Sequence, residues 1–416
     1  MRLLVVGSGA AGHTAAFEAR KIDPSFSITI FSEDGLPLYS PCLIPQYLAS
    51  HLSRERIFLK NPEDYCRAKI DFIHKKVEGI ELRDRIVRTE GRTFPYDRLV
   101  LAIGGHPKRP DIDGIDRKGV FSLKTLEDSD KILAHLAPQV AVIGSGNIGI
   151  ETALALNSLG CKVTLFEIEA TVNPIFFPPP FSDPIQKSLE SEGIEVVTGV
   201  YISQILGRTR AEGLVDRGRV RRFGLIINAT GIVPNTEIAR QAGLTIGPKG
   251  GILVDGYMKT SNPFVFACGD CVELSGDEDR GETTLGGLWP NAIHQGRVAG
   301  YNAANKPKKH NGLFNFRILK IKDSFAISLG WNEKDLAMSK EIVLKDDQPF
   351  SGMLTRVYFK QGRLLAARLW GKAWRLGPFI TCIQREWKMN MFFHILQNRK
   401  AISRYPFLGQ LKFFFY

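Results

Sequence analysis

Two glycine turns of the same form, Gly7-Ser8-Gly9-Ala10-Ala11-Gly12 and Gly144-Ser145-Gly146-Asn147-Ile148-Gly149, most constrain what this chain can fold into. Each follows an apolar run that reads as a buried strand, Leu3-Leu4-Val5-Val6 and Val140-Ala141-Val142-Ile143, and each opens a helical stretch. A second strand follows in both copies, Ile28-Thr29-Ile30-Phe31 and Lys162-Val163-Thr164-Leu165-Phe166, with an acid beyond it, Glu33 and Glu167. This is one βαβ unit written twice. Its first glycine permits the tight turn, the second lets backbone approach a pyrophosphate, and the third lets helix and strand pack closely. A diphosphate sits on unpaired N–H groups at the helix start, and the acid accepts from ribose hydroxyls. Two such units predict two dinucleotide sites, and a protein that brings two redox cofactors together.

At 416 residues the chain is long enough for two or three domains. Without an apolar run near the roughly 20 residues that span a bilayer, no membrane span is expected. Met1 leads directly into the first strand, so a cytoplasmic location is expected. Six cysteines in a chain of this length do not form a disulfide framework, and no Cys/His spacing suggests a metal. The net charge of +12 is uneven: residues 301–416 hold 21 Lys and Arg against 7 Asp and Glu, which leaves residues 1–300 at −2. Such a field steers acidic partners over a Debye length of roughly 8 Å at physiological ionic strength. No nucleic-acid recognition motif accompanies the charge, so nucleic acid is not expected as a partner.

The expected class is α/β, with two Rossmann-like dinucleotide-binding domains, one split by the other, and a C-terminal α+β interface domain. The boundaries read as 1–110 and 230–304 for the split domain, 111–229 for the inserted one and 305–416 for the last. The split follows from Gly251-Ile252-Leu253-Val254-Asp255 and Phe264-Val265-Phe266-Ala267, two apolar strands whose natural place is the sheet of the first domain. From about residue 305 the pattern turns to alternating strands such as Phe314 to Ile321 and Arg356-Val357-Tyr358-Phe359. The aromatic and basic end, Phe407 to Tyr416, is expected to pack in a core or interface.

With both turns, the split order and the segment Ala267-Cys268-Gly269-Asp270-Cys271 in view, the chain resembles the FAD-dependent pyridine nucleotide-disulfide oxidoreductase superfamily over residues 1 to about 305. The resemblance implies FAD and NADH as cofactors and a homodimer. It assigns FAD to Gly7, Gly9, Ala10, Ala11, Gly12, Glu33, Ala102, Gly104, Asp270 and Ala292, the last on a helix expected to face the flavin. It assigns the nicotinamide dinucleotide to Gly144, Gly146, Asn147, Ile148, Gly149, Glu167 and Gly231, with Glu151 near the nicotinamide. Ile103 stands where relatives usually carry Thr, whereas the later Ala229-Thr230-Gly231 is intact. Glu167 would accept from the 2′-hydroxyl of NADH and repel the 2′-phosphate of NADPH, so NADH is expected. Cys271 is common after the Gly-Asp pair in the superfamily, and a structural role rather than a working disulfide is implied for Cys268 and Cys271.

The acceptor stays open at this point. A net positive C-terminal segment favours an acidic iron–sulfur carrier of ferredoxin or rubredoxin type, the leading expectation. The stretch Tyr39-Ser40-Pro41-Cys42-Leu43-Ile44-Pro45 instead resembles the single-cysteine branch of NADH oxidases and coenzyme A disulfide or persulfide reductases, in which Cys42 would be the redox cysteine. Leu43 and Gln46 depart from that branch, as does Ala10, which stands where the peroxidases carry His; His13 does not inherit the role. A flavin-binding sensor or structural protein without turnover is the alternative of another class.

Overall fold

The computed structural model describes residues 1–276, 283–313, 315–331, 340–344, 354–371, 376–384, 388 and 390, so the tail Phe407 to Tyr416 lies outside the described residues. The chain forms two compact units, residues 1–40, 53–106 and 232–313 in one and residues 41–52, 107–231 and 314–416 in the other. Both are built around parallel sheets, as expected of an α/β protein.

In the first unit the sheet runs Val265–Ala267, Arg98–Leu101, Arg2–Val6, Ser27–Ser32 and Ile70–His74 from edge to edge. Every neighbour pair is parallel. Counted along the chain this is the order 3-2-1-4-5, in which ligands bind outside the carboxyl ends of the strands where the order reverses. The strands are apolar runs because helices cover the sheet: Leu3, Val5, Ile30, Leu99 and Val100 are fully buried. The fifth strand comes from residues 265–267, after the chain has built much of the second unit. Ile252–Val254, expected in the same sheet, pairs instead with Val272–Leu274 in a separate three-stranded sheet. There the fully buried Glu273 accepts from the N–H groups of Lys249 and Gly251, which commits this segment to its own small sheet.

The helices Ala10–Ile22 and Trp289–Ala303 pack on each other within this unit. A Cβ on Gly296 would strike the Ala11 carbonyl oxygen, and one on Gly300 the Ala15 carbonyl oxygen. Glycine on one helix and alanine on the other therefore set a close backbone approach.

The second unit repeats the design. Its parallel sheet runs Glu195–Val197, Lys162–Phe166, Gln139–Ile143, Leu225–Asn228 and Val120–Phe121. The helix Asn147–Ser158 connects the strands Gln139–Ile143 and Lys162–Phe166, and the short helix Ile44–Leu48 packs against it. An antiparallel sheet follows, ordered Phe316–Ile321, Ser324–Gly330, Arg363–Gly371, Leu354–Lys360 and Lys340–Leu344.

Register places Arg317, Ser328, Arg368 and Arg356 in one row across four strands of this sheet. Arg368 is fully buried, and Arg317 and Arg356 are part-buried. Arg317 lies 3.6 Å from the Phe176 ring centroid, Arg356 donates to the Pro179 carbonyl, and fully buried Arg368 donates to the carbonyls of Leu329 and Trp331. Burial and the Arg368 charge pull Arg317 down to about 10. Lys322 is paired with Glu192 at 2.6 Å.

Candidate functional site

The first glycine turn leaves the strand Arg2–Val6 with the Gly7 N–H donating to the Phe31 carbonyl at 2.9 Å. Gly7 has φ +108°, and a Cβ there would collide with the carbonyl of Ala102. Gly12 is held as closely against the Gly7 carbonyl, whereas a Cβ on Gly9 would meet nothing within 4 Å. Ala10 and Ala11, both buried, form the first turn of a helix whose cap, Gly9, makes no side-chain bond. Amides of a helix's first turn have no intrahelical acceptor, so this open turn presents donors suited to an anion.

Register brings the ends of three strands, and with them Ala102, Gly104 and Asp270, to the same carboxyl end of the sheet, since Val6 pairs with Leu101 and Leu101 with Ala267. Ala102 and Gly104 (φ +65°) follow one of these strands, and Gly269 (φ +86°) and the part-exposed Asp270 follow the other. Gly104 and Ile103 are fixed by Asn235, whose backbone N–H and side-chain amide bond their carbonyls at 2.9 and 2.7 Å. Ala292, near the start of the helix Trp289–Ala303, is drawn in through Gln295, whose Oε1 accepts the Gly269 N–H at 2.7 Å. Gln295 lies in the stretch whose sequence marks this helix, whereas Asn235 carries no spacing signal and only the fold reveals it.

The second turn reproduces the first. Gly144 (φ +104°) has a Cβ position blocked by the Ala229 carbonyl, Gly149 is pressed on the Gly144 carbonyl, and Gly146 opens on empty space. The helix that follows also begins without a side-chain cap, and Ile148 in its first turn is exposed. Gly231 (φ +113°) likewise has nothing within 4 Å of its Cβ position. Asn147 is spoken for: its Oδ1 accepts from Asn173 and its Nδ2 donates to the Ile318 carbonyl.

The two acids are not equivalent. Val6 pairs with Phe31 and Ile143 with Phe166, so the residue matching Glu167 is Ser32, and Glu33 lies one position further on. Glu33 is 69% exposed and paired with Lys76 at 2.7 Å. Glu167 is 8% exposed and accepts from the Ser145 N–H at 2.9 Å, the Ser145 hydroxyl, and the Glu169 N–H at 3.0 Å.

Glu151 lies in the second unit on the helix Asn147–Ser158, and burial pushes its carboxyl up to about 8. It is therefore protonated near neutrality and can donate an O–H. Because the folded state holds this proton and the unfolded chain does not, Glu151 costs no stability below pH 4.5 and progressively more as pH rises to 8. Glu151→Gln is expected to melt near wild type at pH 5 and about 10 °C or more above it at pH 8, at roughly 1.4 kcal/mol per pKa unit and 2–4 °C per kcal/mol. Calorimetric melts across that range check it, and parallel curves would mean that the carboxyl ionises normally.

Cys42 sits in the single turn Pro41–Leu43, part-exposed, in the second unit. The segment is anchored by Tyr47, whose hydroxyl donates to Asp130 at 2.6 Å. Cys268 and Cys271 are free and fully buried, and burial raises both thiols, Cys271 to about 12, so neither supplies a thiolate. His13 stacks on Phe17 at 4.1 Å beside Tyr65, and burial lowers it to about 4, which makes it a neutral core residue.

Residues 1–296 match the pyridine nucleotide-disulphide oxidoreductase family, and the chain belongs to it. It is accordingly a flavoprotein-type NAD(P)H oxidoreductase, an enzyme with Rossmann-like domains. An NADH oxidase of Methanocaldococcus jannaschii is 37% identical over 78% of this chain and 74% of its own length. A probable ferredoxin reductase of Castellaniella defragrans is 31% identical over 88% of this chain and 89% of its own. Among solved structures, an NAD-dependent persulfide reductase from A. fulgidus superposes with a TM-score of 0.87 at 27% identity, covering 99% of this chain and 83% of that one. Among the described residues no helix is long and apolar enough to cross a membrane, and no group of His, Cys, Asp and Glu could hold a metal.

Proposed function

We propose that the protein is an FAD-dependent NADH oxidoreductase, with FAD held by residues 1–110 and 230–304 and NADH by residues 111–229. One observation carries this reading: in both turns the outer two glycines are packed against backbone while the middle one, Gly9 or Gly146, opens on space beside uncapped helix amides. That is the shape a pyrophosphate requires. Bound there, FAD would accept a hydride from NADH and release the electrons to an acceptor. The chain's own part is to grip both diphosphates, to offer Asp270 and the Ala292 turn to the first cofactor, and to offer Glu167 and the Glu151 O–H to the second.

For the acceptor, Cys42 now leads. Four of the six cysteines are buried, Cys66 is exposed on another segment, and only Cys42 stands part-exposed in the sequence context of a redox cysteine. An acidic iron–sulfur carrier was expected from charge, but Arg317, Arg356, Arg368 and Lys322 are engaged within their own unit. These contacts fix where the side chains point, but the carbonyls and the ring that hold the arginines carry no counter-charge, so the field that would steer an acidic carrier persists and the carrier stays as the second reading. Relatives of both kinds exist, an NADH oxidase and a probable ferredoxin reductase.

Steady-state NADH oxidation by wild type and Cys42→Ser, with coenzyme A disulfide, oxygen or a reducible iron–sulfur carrier, separates the readings. Thiol chemistry predicts a loss of at least about 100-fold with the disulfide, the scale on which catalytic groups act. Rapid carrier reduction that survives Cys42→Ser would restore the carrier reading, and no NADH consumption with any acceptor would favour a sensor.

A further inference from the structure

We infer that Ser145 is a positioning residue which, by fixing the carboxylate of Glu167, sets the preference for NADH over NADPH; this rests on the NADH reading above. A carboxylate as buried as Glu167 must be satisfied by nearby donors. Among the described residues it accepts from the N–H and hydroxyl of Ser145, both on Oε2, and from the Glu169 N–H on Oε1. The Ser145 hydroxyl also accepts the Asn173 N–H at 2.8 Å. A hydroxyl has a single proton, and since the Asn173 N–H can only donate to it and the carboxylate can only accept, that proton is directed to Glu167. Asn173 is held in turn, at φ +49° and with its amide on Asn147, which bonds the Ile318 carbonyl of the C-terminal sheet. The carboxylate is therefore clamped from the glycine turn itself, with acceptor capacity left on Oε1 for a ribose hydroxyl.

A clamp of this kind sharpens discrimination in both directions. A fixed acceptor rewards the 2′-hydroxyl of NADH, and a fixed negative charge cannot swing away from a 2′-phosphate. The first turn lacks the arrangement, since Ser8 meets Ser32 at 2.8 Å and Glu33 is exposed.

Binding of ADP-ribose and of its 2′-phosphate, measured by titration calorimetry, tests this without any flavin or acceptor turnover. Wild type is expected to prefer ADP-ribose, and Ser145→Ala to narrow that preference about tenfold. In a Glu167→Ala background Ser145→Ala should leave the preference unchanged, because the serine acts only through the acid. Ser145→Cys, similar in size and a weak donor, serves if the alanine variant does not fold, with an expected shift in the same direction. An unchanged preference in both single variants, or an equal shift with and without Glu167, overturns the inference. Wild type that does not prefer ADP-ribose overturns the NADH reading instead.

Discussion

Gly296→Ala is expected to destabilise the protein by about 3 kcal/mol, the scale of forced overpacking in a closed core. The sign is what makes the result informative, because an interior helical glycine replaced by alanine otherwise gains roughly 1 kcal/mol from propensity. Here the added methyl would lie on the Ala11 carbonyl oxygen, which is helix backbone rather than the end of a flexible side chain and so cannot turn aside. The helices Ala10–Ile22 and Trp289–Ala303 would have to separate. With them would go the alignment of Gly9, at the start of one helix, with Gln295, midway along the other, and with Gln295 its bond to Gly269 after the strand Val265–Ala267. Flavin retention should therefore fall together with stability. Arg297→Ala, one residue along on the half-exposed side, should cost less than about 0.5 kcal/mol, since its 3.9 Å approach to Glu18 is a weak surface pair. Urea unfolding of the two variants checks the contrast. Equal midpoints would mean that the helices have slack.

That packing explains why some of the molecule was legible in the sequence and some was not. Backbone geometry that only glycine can adopt leaves a mark at a fixed spacing, so both turns and both parallel sheets are legible in the sequence alone. Gly296 and Gly300 are spaced just as regularly, yet their partners, Ala11 and Ala15, lie far away in the chain and announce nothing. Strand ends are harder still. Glu33 and Glu167 look alike when counted from their glycines, but pairing with Phe31 and Phe166 puts Ser32 opposite Glu167 in the comparison. A one-residue difference reverses which way a side chain points from a strand, and here it accompanies one exposed acid and one buried acid. Net charge misleads for a similar reason. It counts Arg368 as surface although the residue is fully buried against backbone carbonyls. Ile252–Val254 read as a strand and is one, but its apolar pattern could not say which sheet it joins.

Gly146→Ala is expected to leave the fold nearly intact and to remove most of the nucleotide affinity, whereas Gly149→Ala should damage the fold first. The two glycines are three residues apart in the same turn and face opposite ways. Gly149 has the Gly144 carbonyl where its Cβ would be, and alanine there must push the helix Asn147–Ser158 off the sheet. Gly146 has φ −61° and nothing within 4 Å, so alanine costs only the poorer cap, about 1 kcal/mol or less. The open space matters because it lies beside the unpaired amides of the first turn, where a pyrophosphate would be held by its oxygens. A methyl group there keeps the anion from the amides. The expected loss of ADP-ribose affinity is about 10- to 100-fold, or about 1.4 to 2.8 kcal/mol. Thermal melts together with calorimetric titration separate the two effects. Should Gly146→Ala bind ADP-ribose as wild type does, the second turn would be a structural repeat of the first and the nicotinamide dinucleotide would have to dock elsewhere. If affinity falls while the melting curve stays in place, the middle glycine is kept open for the ligand.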